Sequence, residues 1–228
     1  MDRDLNAPPL NPLPWIVWVL ALPLIAVEVV VQLGASGLAG GPEAINWRIR
    51  AMEWFAFSPD FLRRALETGE WPLDTLWRQV SYILVQADIT GALFVVVLLL
   101  ALGKMVGEIF RWWAVAAIFL GSAAMAALVY TLVLPGNRVP LVGGFPAVYG
   151  LIGAFTFVLW MRQAATGGNP WRAFGLIGIL MAVQIFFGLI YGGLSWVAEL
   201  AGFATGFLLS FLVAPGGWRR MVGLLRNR

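Results

Sequence analysis

Three carboxylates draw attention because each lies within a long apolar stretch of the sequence or close to its end. Glu28 lies in the first stretch, Asp88 near the start of the second, and Glu199 in the last, between Ala198 and Leu200. Inserting a charge at the membrane centre costs about 2.5–3.5 kcal/mol, so such residues are candidate proton sites, cation sites or polar contacts between helices. The alternative is that each lies about one turn from the membrane surface and is solvated there.

Two missing residue types limit the chemistry further. The chain of 228 residues contains no histidine and no cysteine. A serine–histidine triad, a thiolate nucleophile and an imidazole or thiolate metal site are therefore excluded. The sequence predicts no metal and no cofactor, and any catalysis would have to use carboxylates, hydroxyls or basic side chains.

The composition indicates a membrane protein. Hydrophobic residues make up 61% of the chain and charged residues 12%, and the mean hydropathy is +0.84. Soluble domains contain about 45–50% apolar and about 25% charged residues. These values exclude an ordinary soluble enzyme, a disordered chain and a nucleic-acid-binding domain, and they predict membrane lipid as a partner.

Six apolar stretches are long enough, or nearly long enough, to cross a bilayer as helices of about 20 residues. They cover residues 15–33, 82–102, 112–134, 146–161, 171–191 and 194–213. Every backbone polar group must be paired within the chain in lipid, so the sequence predicts an all-α membrane protein with six helices in one bundle.

The long connection at residues 34–78 combines seven Trp or Phe residues with many charges. Aromatic side chains favour the boundary between water and lipid. Residues 46–57 and Pro59–Thr68 each fit a short amphipathic helix, with Ser58 as a candidate N-cap before an N1 proline. We predict a partly membrane-embedded first outer loop; a mobile loop outside the membrane is the alternative.

Lysine and arginine counts predict the orientation, because cytoplasmic loops carry the excess. Six spans place both termini on one side, which holds nine basic residues against six on the other. We therefore predict a cytoplasmic N-terminus at 1–14, a basic cytoplasmic tail at 214–228 and a bacterial cytoplasmic (inner) membrane location. Residues 1–228 are interpreted as a single domain.

Glycines mark the helix faces that can approach closely. Gly202 and Gly206 are four residues apart in the sixth span, and Gly150 and Gly153 lie on a small-residue face of the fourth. Such spacing lets helix backbones come into contact. We predict that the fourth and sixth spans pack face to face.

Four motifs follow one another along the chain. They are Trp77-Arg78 before the second span, Gly103 at its end, segment 140–154 around Gly143, and segment 198–206 around Gly202. With these motifs in this order, residues 15–213 resemble the rhomboid intramembrane serine proteases in their compact six-span form. In that family the third motif is Gly-x-Ser-Gly and the fourth is Ala-His-x-x-Gly-x-x-x-Gly. The resemblance implies a rhomboid-like bundle.

The departures from the family pattern decide the expected function. Phe145 occupies the nucleophile position, Pro146 follows it in place of glycine, and Glu199 occupies the position of the general-base histidine. Gln86, Gly91 and Val95 occupy positions where the family usually has His, His and Asn. Every catalytic and oxyanion side chain is thus replaced. We expect Glu199 to point towards Gln86 or Asp88.

The resemblance then implies a pseudoprotease that binds or helps to assemble another transmembrane protein. An active intramembrane endopeptidase with atypical residues is a second hypothesis. The side chains it could use are those of Ser81, Ser122, Ser195, Ser210, Asp88, Glu199 and Lys104. A proton- or ion-coupled transporter that uses Glu28 and Glu199 is a third hypothesis, which the absence of a repeat disfavours.

Overall fold

The computed structural model describes residues 12–214, and within that range the chain is helical almost throughout. It forms nine α-helices, which are α1 Trp15–Ala35, α2 Trp47–Phe55, α3 Pro59–Thr68, α4 Leu73–Ser81, α5 Ile89–Gly107, α6 Trp112–Val133, α7 Phe145–Ala165, α8 Gly175–Tyr191 and α9 Ser195–Val213. Three short 3-10 helices, Pro42–Asn46, Tyr82–Leu84 and Pro170–Phe174, join some of them.

Six of these helices are long and apolar enough to cross a membrane, namely α1, α5, α6, α7, α9 and α8 together with the 3-10 helix before it. This confirms the predicted all-α architecture with six spans. The largest boundary error is at the start of the second span, because α5 begins at Ile89 and not at residue 82. The carboxylate of Asp88 accepts a hydrogen bond from the Gly91 N–H at 2.8 Å and so caps the helix where it starts. The ends of the second and fourth spans also lie later than predicted, at Gly107 and Ala165.

Consecutive spans run in opposite directions, so the bundle has two ends. The terminal side carries the start of α1 and the end of α9, and the loop side carries α2, α3 and α4. The predicted segments 1–14 and 214–228 fall almost entirely outside the described residues, and their placement stays a prediction.

Helix α7 forms the centre of the bundle and packs against α9, α6 and α5. A side chain at Gly202 would overlap the backbone of Pro146, and one at Gly206 would overlap the backbone of Gly150. Gly153 likewise lies against the backbone of α9 at Phe203. The predicted face-to-face packing of the fourth and sixth spans is therefore confirmed.

The first loop contains three helices, where the sequence predicted two. Pro59–Thr68 forms with the predicted bounds, although the Ser58 side chain makes no capping hydrogen bond. The first helix is shorter than the predicted 46–57. Helix α4 was missed, although Leu73, Leu76, Trp77 and Val80 have the i, i+3, i+4, i+7 spacing of an amphipathic helix.

Hydrogen bonds fix this loop to the rest of the bundle. The N–H groups of Phe57 and Leu141 each donate to the other residue's carbonyl, at 3.0 and 2.8 Å. Arg78 donates to the Ala56 carbonyl at 3.1 Å, and its guanidinium lies over the rings of Phe61 and Trp77. The Trp77-Arg78 motif thus holds α4 against the end of α2.

Candidate functional site

The turn before α7 sets the position of Phe145. Gly143 has a φ of +100°, a conformation that side chains other than glycine rarely adopt. Phe145 begins α7 and is half-buried against the apolar core, and Pro146 is buried behind it. Proline fits here because the first helical residues have no intrahelical acceptor for their N–H groups. The position predicted for a nucleophile therefore carries an apolar ring.

Gln86 is buried in the extended segment before α5 and contacts this turn. Its Oε1 accepts a hydrogen bond from the Gly144 N–H at 3.1 Å, and its Nε2 donates to the Ile83 carbonyl at 2.8 Å. Val95 is also buried here, since a side chain at Gly144 would come within 2.6 Å of its Cγ1. The structure thus brings Gln86 and Val95 together beside the turn that precedes Phe145.

Tyr82 occupies the other side of the turn and was missed by the sequence analysis. Its carbonyl accepts from the Gly143 N–H at 3.0 Å, and its hydroxyl donates to the Ala123 carbonyl at 3.0 Å. Complete burial raises the pKa of its phenol, so the hydroxyl stays a neutral donor. The N–H groups of Gly143 and Gly144 are therefore both already bonded within the protein.

Glu199 is buried on α9 and pairs with a neighbouring span. The Gln184 side chain on α8 donates to its Oε2 at 2.6 Å, and the phenol of Tyr149 lies beside both groups. The expectation that Glu199 points towards Gln86 or Asp88 was wrong. Tyr149 follows Phe145 by one helical turn, so α7 brings the Phe145 and Glu199 regions into the same part of the bundle.

Glu28 also has a partner that sequence reasoning did not find. Its two carboxylate oxygens accept from Arg48 at 2.6 and 3.1 Å, and Gln32 donates at 2.8 Å. Arg48 also donates to the Gln86 carbonyl at 2.7 Å. Glu28 on α1 and Arg48 on α2 are 20 residues apart in the sequence and belong to different helices. Glu28 and Arg48 therefore form an ion pair between α1 and α2. Because Glu28 is already paired, one of the two carboxylates on which the transporter hypothesis depends loses its support.

Asp88 and Gly91 belong to the cap of α5. Asp88 is exposed, so it does not belong with the buried polar candidates, and the alternative of a solvated carboxylate holds for this residue. The Gly91 N–H is the donor to its carboxylate. Gly91 therefore helps to start a helix instead of contacting Phe145.

Within the described residues, none of the four serines named above is hydrogen-bonded to Asp88, Glu199 or Lys104. Ser81 and Ser210 donate to the backbone carbonyls of Phe55 and Gly206. Ser122 is fully buried against Gly150. Ser195 is exposed one turn before Glu199, while the hydrogen-bond donor to Glu199 is Gln184. Lys104 lies in the last turn of α5, at the terminal side.

Most of the chain is similar to proteins of one known family. The model of the Rhomboid domain matches residues 73–216, which include α4 to α9 and both the Phe145 and Glu199 positions. The chain belongs to the rhomboid family. It is also 30% identical to "Putative rhomboid protease YdcA" of Bacillus subtilis (strain 168), over 156 residues that make up 67% of this chain and 72% of that protein.

Membership of the rhomboid family agrees with the bundle of six apolar helices. The chain is an integral membrane protein that resembles the intramembrane proteases of this family, as its six apolar helices indicate. The two glycine-rich motifs of the rhomboid resemblance are the surfaces through which α7 and α9 pack.

Proposed function

We propose that this rhomboid-family protein is catalytically inactive and binds a transmembrane segment of another membrane protein. The observation that carries the proposal is the environment of Glu199. In the base position, its carboxylate accepts a hydrogen bond from the Gln184 amide, and the chain contains no histidine.

Serine-type hydrolysis requires an activated hydroxyl, a base and free donors for the oxyanion. Phe145 supplies no hydroxyl. The two backbone donors just before it, at Gly143 and Gly144, already bond Tyr82 and Gln86. All three requirements are therefore unmet at the family's reaction position.

Helix α8 supports the binding role because its packing is loose. Only 18% of the residues in the most apolar part of this span are buried, against 67% for α7. It packs mainly on α9 and the preceding 3-10 helix, and Ile179 and Leu189 are exposed. In lipid, an exposed helix face of this kind can pack against a helix from another protein.

A chemical experiment tests the inactive part of the proposal. The full chain in liposomes is incubated with a fluorophosphonate probe and a model transmembrane substrate, beside a histidine-containing rhomboid as positive control. We expect neither labelling nor cleavage. Labelling that disappears in Ser195→Ala would show an atypical active site and overturn this part.

A crosslinking experiment tests the binding part. A photoreactive residue is placed at Ile179 on α8 and, as matched control, at the exposed Leu22 on α1. We expect one specific membrane-protein adduct from position 179 at native abundance and none from position 22. Equal adducts, or none from position 179, would contradict the proposal.

A further inference from the structure

A groove of about 380 Å³ lies between α1 and α2, away from Phe145 and Glu199. Its walls include Val27, Val30 and Val31 of α1 and Trp47, Arg50 and Trp54 of α2. Val27 lies eight residues before the end of α1, about 12 Å along a helix that rises 1.5 Å per residue. The groove therefore runs from the loop-side end of α1 into its apolar half.

The end of the groove nearest the loop side is held rigidly. The Trp47 ring packs on Gly34, where an added Cβ would come within 2.7 Å of the indole. The ion pair between Arg48 and Glu28 anchors the first turn of α2 to α1. Farther along, Val30 and Trp54 are 52% and 67% exposed, so the groove opens sideways to the surroundings.

Arg50 is the charged side chain that lines this groove. Its guanidinium lies 3.1 Å from Glu43, but both side chains are more than half exposed. Such surface pairs contribute only about 0–1 kcal/mol. A better oxygen ligand can therefore displace Glu43 from Arg50.

We propose that this groove binds a glycerophospholipid, with an acyl chain along α1 and the phosphate on Arg50. Guanidinium binds phosphate oxygens through strong, charge-assisted hydrogen bonds. Tryptophan favours the level of the headgroups. A protein helix, about 10 Å across with its side chains, does not enter a groove of this size, whereas one alkyl chain does.

Native mass spectrometry of the full chain, released from a non-ionic detergent, tests this proposal. The protein is titrated with phosphatidylglycerol and, in parallel, with a diacylglycerol that has the same acyl chains but no phosphate. The variants are Arg50→Gln, which removes the cation, and Val30→Trp, which fills the groove. Arg64→Gln, at an exposed arginine on α3, is the matched control.

The wild-type chain is expected to retain one phosphatidylglycerol and to bind diacylglycerol at least about tenfold more weakly, which corresponds to about 1.4 kcal/mol. Arg50→Gln and Val30→Trp should each lower phosphatidylglycerol affinity by about the same factor, and Arg64→Gln should leave it unchanged. Helicity and the unfolding temperature of each variant show whether it is folded. Should Val30→Trp fail to fold, Arg50→Gln against Arg64→Gln still decides.

Three results would overturn the proposal. Equal loss in Arg50→Gln and Arg64→Gln would indicate general surface charge. Equal affinity for the two lipids would show that the phosphate does not contribute to binding. Retention of a protein partner or a second copy of the chain in place of lipid would assign the groove to a different occupant.

Discussion

Gln86 and Glu199 are buried polar side chains that bond segments far apart in the sequence. Gln86 accepts from the Gly144 N–H, 58 residues away, and Glu199 accepts from Gln184 on a different span. A buried polar group that loses its partner destabilises the fold by about 1–3 kcal/mol. Both residues therefore stabilise contacts between different parts of the bundle.

The pairing of Glu199 with Gln184 gives a first prediction. Gln184→Leu should lower the free energy of unfolding by about 1–3 kcal/mol, because the carboxylate loses its amide donor. Gln32→Leu is the matched control, since Gln32 also bonds a carboxylate but Glu28 keeps a charged partner, Arg48, whereas Glu199 keeps only the neutral phenol of Tyr149. Denaturant unfolding in detergent measures both. Equal losses of unfolding free energy in the two variants would show that the Gln184–Glu199 hydrogen bond stabilises the fold no more than the Gln32–Glu28 hydrogen bond does.

The close contact of α7 and α9 gives a second prediction. Gly206→Ala should destabilise the protein by about 1–3 kcal/mol, because the new methyl group overlaps the backbone of Gly150. Gly178→Ala on α8 meets nothing within 4 Å and should be neutral or stabilising by up to about 1 kcal/mol. Melting temperatures of the two variants measure the difference. An unchanged melting temperature in Gly206→Ala would mean that α7 and α9 can move apart without a loss of stability.

At the scale of elements, Arg48 in the first turn of α2 joins that helix to two other parts of the bundle. Arg48 bonds Glu28 on α1 and the Gln86 carbonyl before α5. One guanidinium thus joins the first loop, the first span and the segment that contacts Phe145. The loop and the site are therefore mechanically connected.

This connection gives a third prediction. Arg48→Gln should lower the free energy of unfolding by about 3 kcal/mol, near the lower end for a buried ion pair that loses one member. The exposed Arg50→Gln should cost at most about 1 kcal/mol. Limited proteolysis within α2 and α3 should also be faster in Arg48→Gln. If both variants unfold alike, Arg48 does not anchor the loop.

The spans were predictable, whereas their polar partners were not. Long apolar runs fix where helices can cross a membrane, and glycine spacing identified the contact of α7 with α9. The start of α5 was placed too early because most residues at 82–87 are apolar and were included in the span. The structure shows that Asp88, which follows them, is the N-cap of the helix. The partners of Glu28 and Glu199 come from α2 and α8. Where no glycine pattern marks a close contact, a single sequence does not show which faces of different helices meet.

At the scale of the whole molecule, the orientation in the membrane is open to a direct test, because the chain has no cysteine. Glu67 at the end of α3 and Glu108 between α5 and α6 are both exposed, on opposite sides of the bundle. With cytoplasmic termini, an impermeant maleimide on intact cells should label Glu67→Cys and not Glu108→Cys. The reverse pattern would place the termini outside.

The guanidinium of Arg63 has a consequence for biosynthesis. It donates to the carbonyls of Leu134 and Asn137, just beyond the end of α6, which lie 71 and 74 residues later in the chain. During synthesis, Arg63 leaves the ribosome long before these carbonyls are made. Helix α3 therefore cannot form these two hydrogen bonds until α6 and the residues after it have been synthesised.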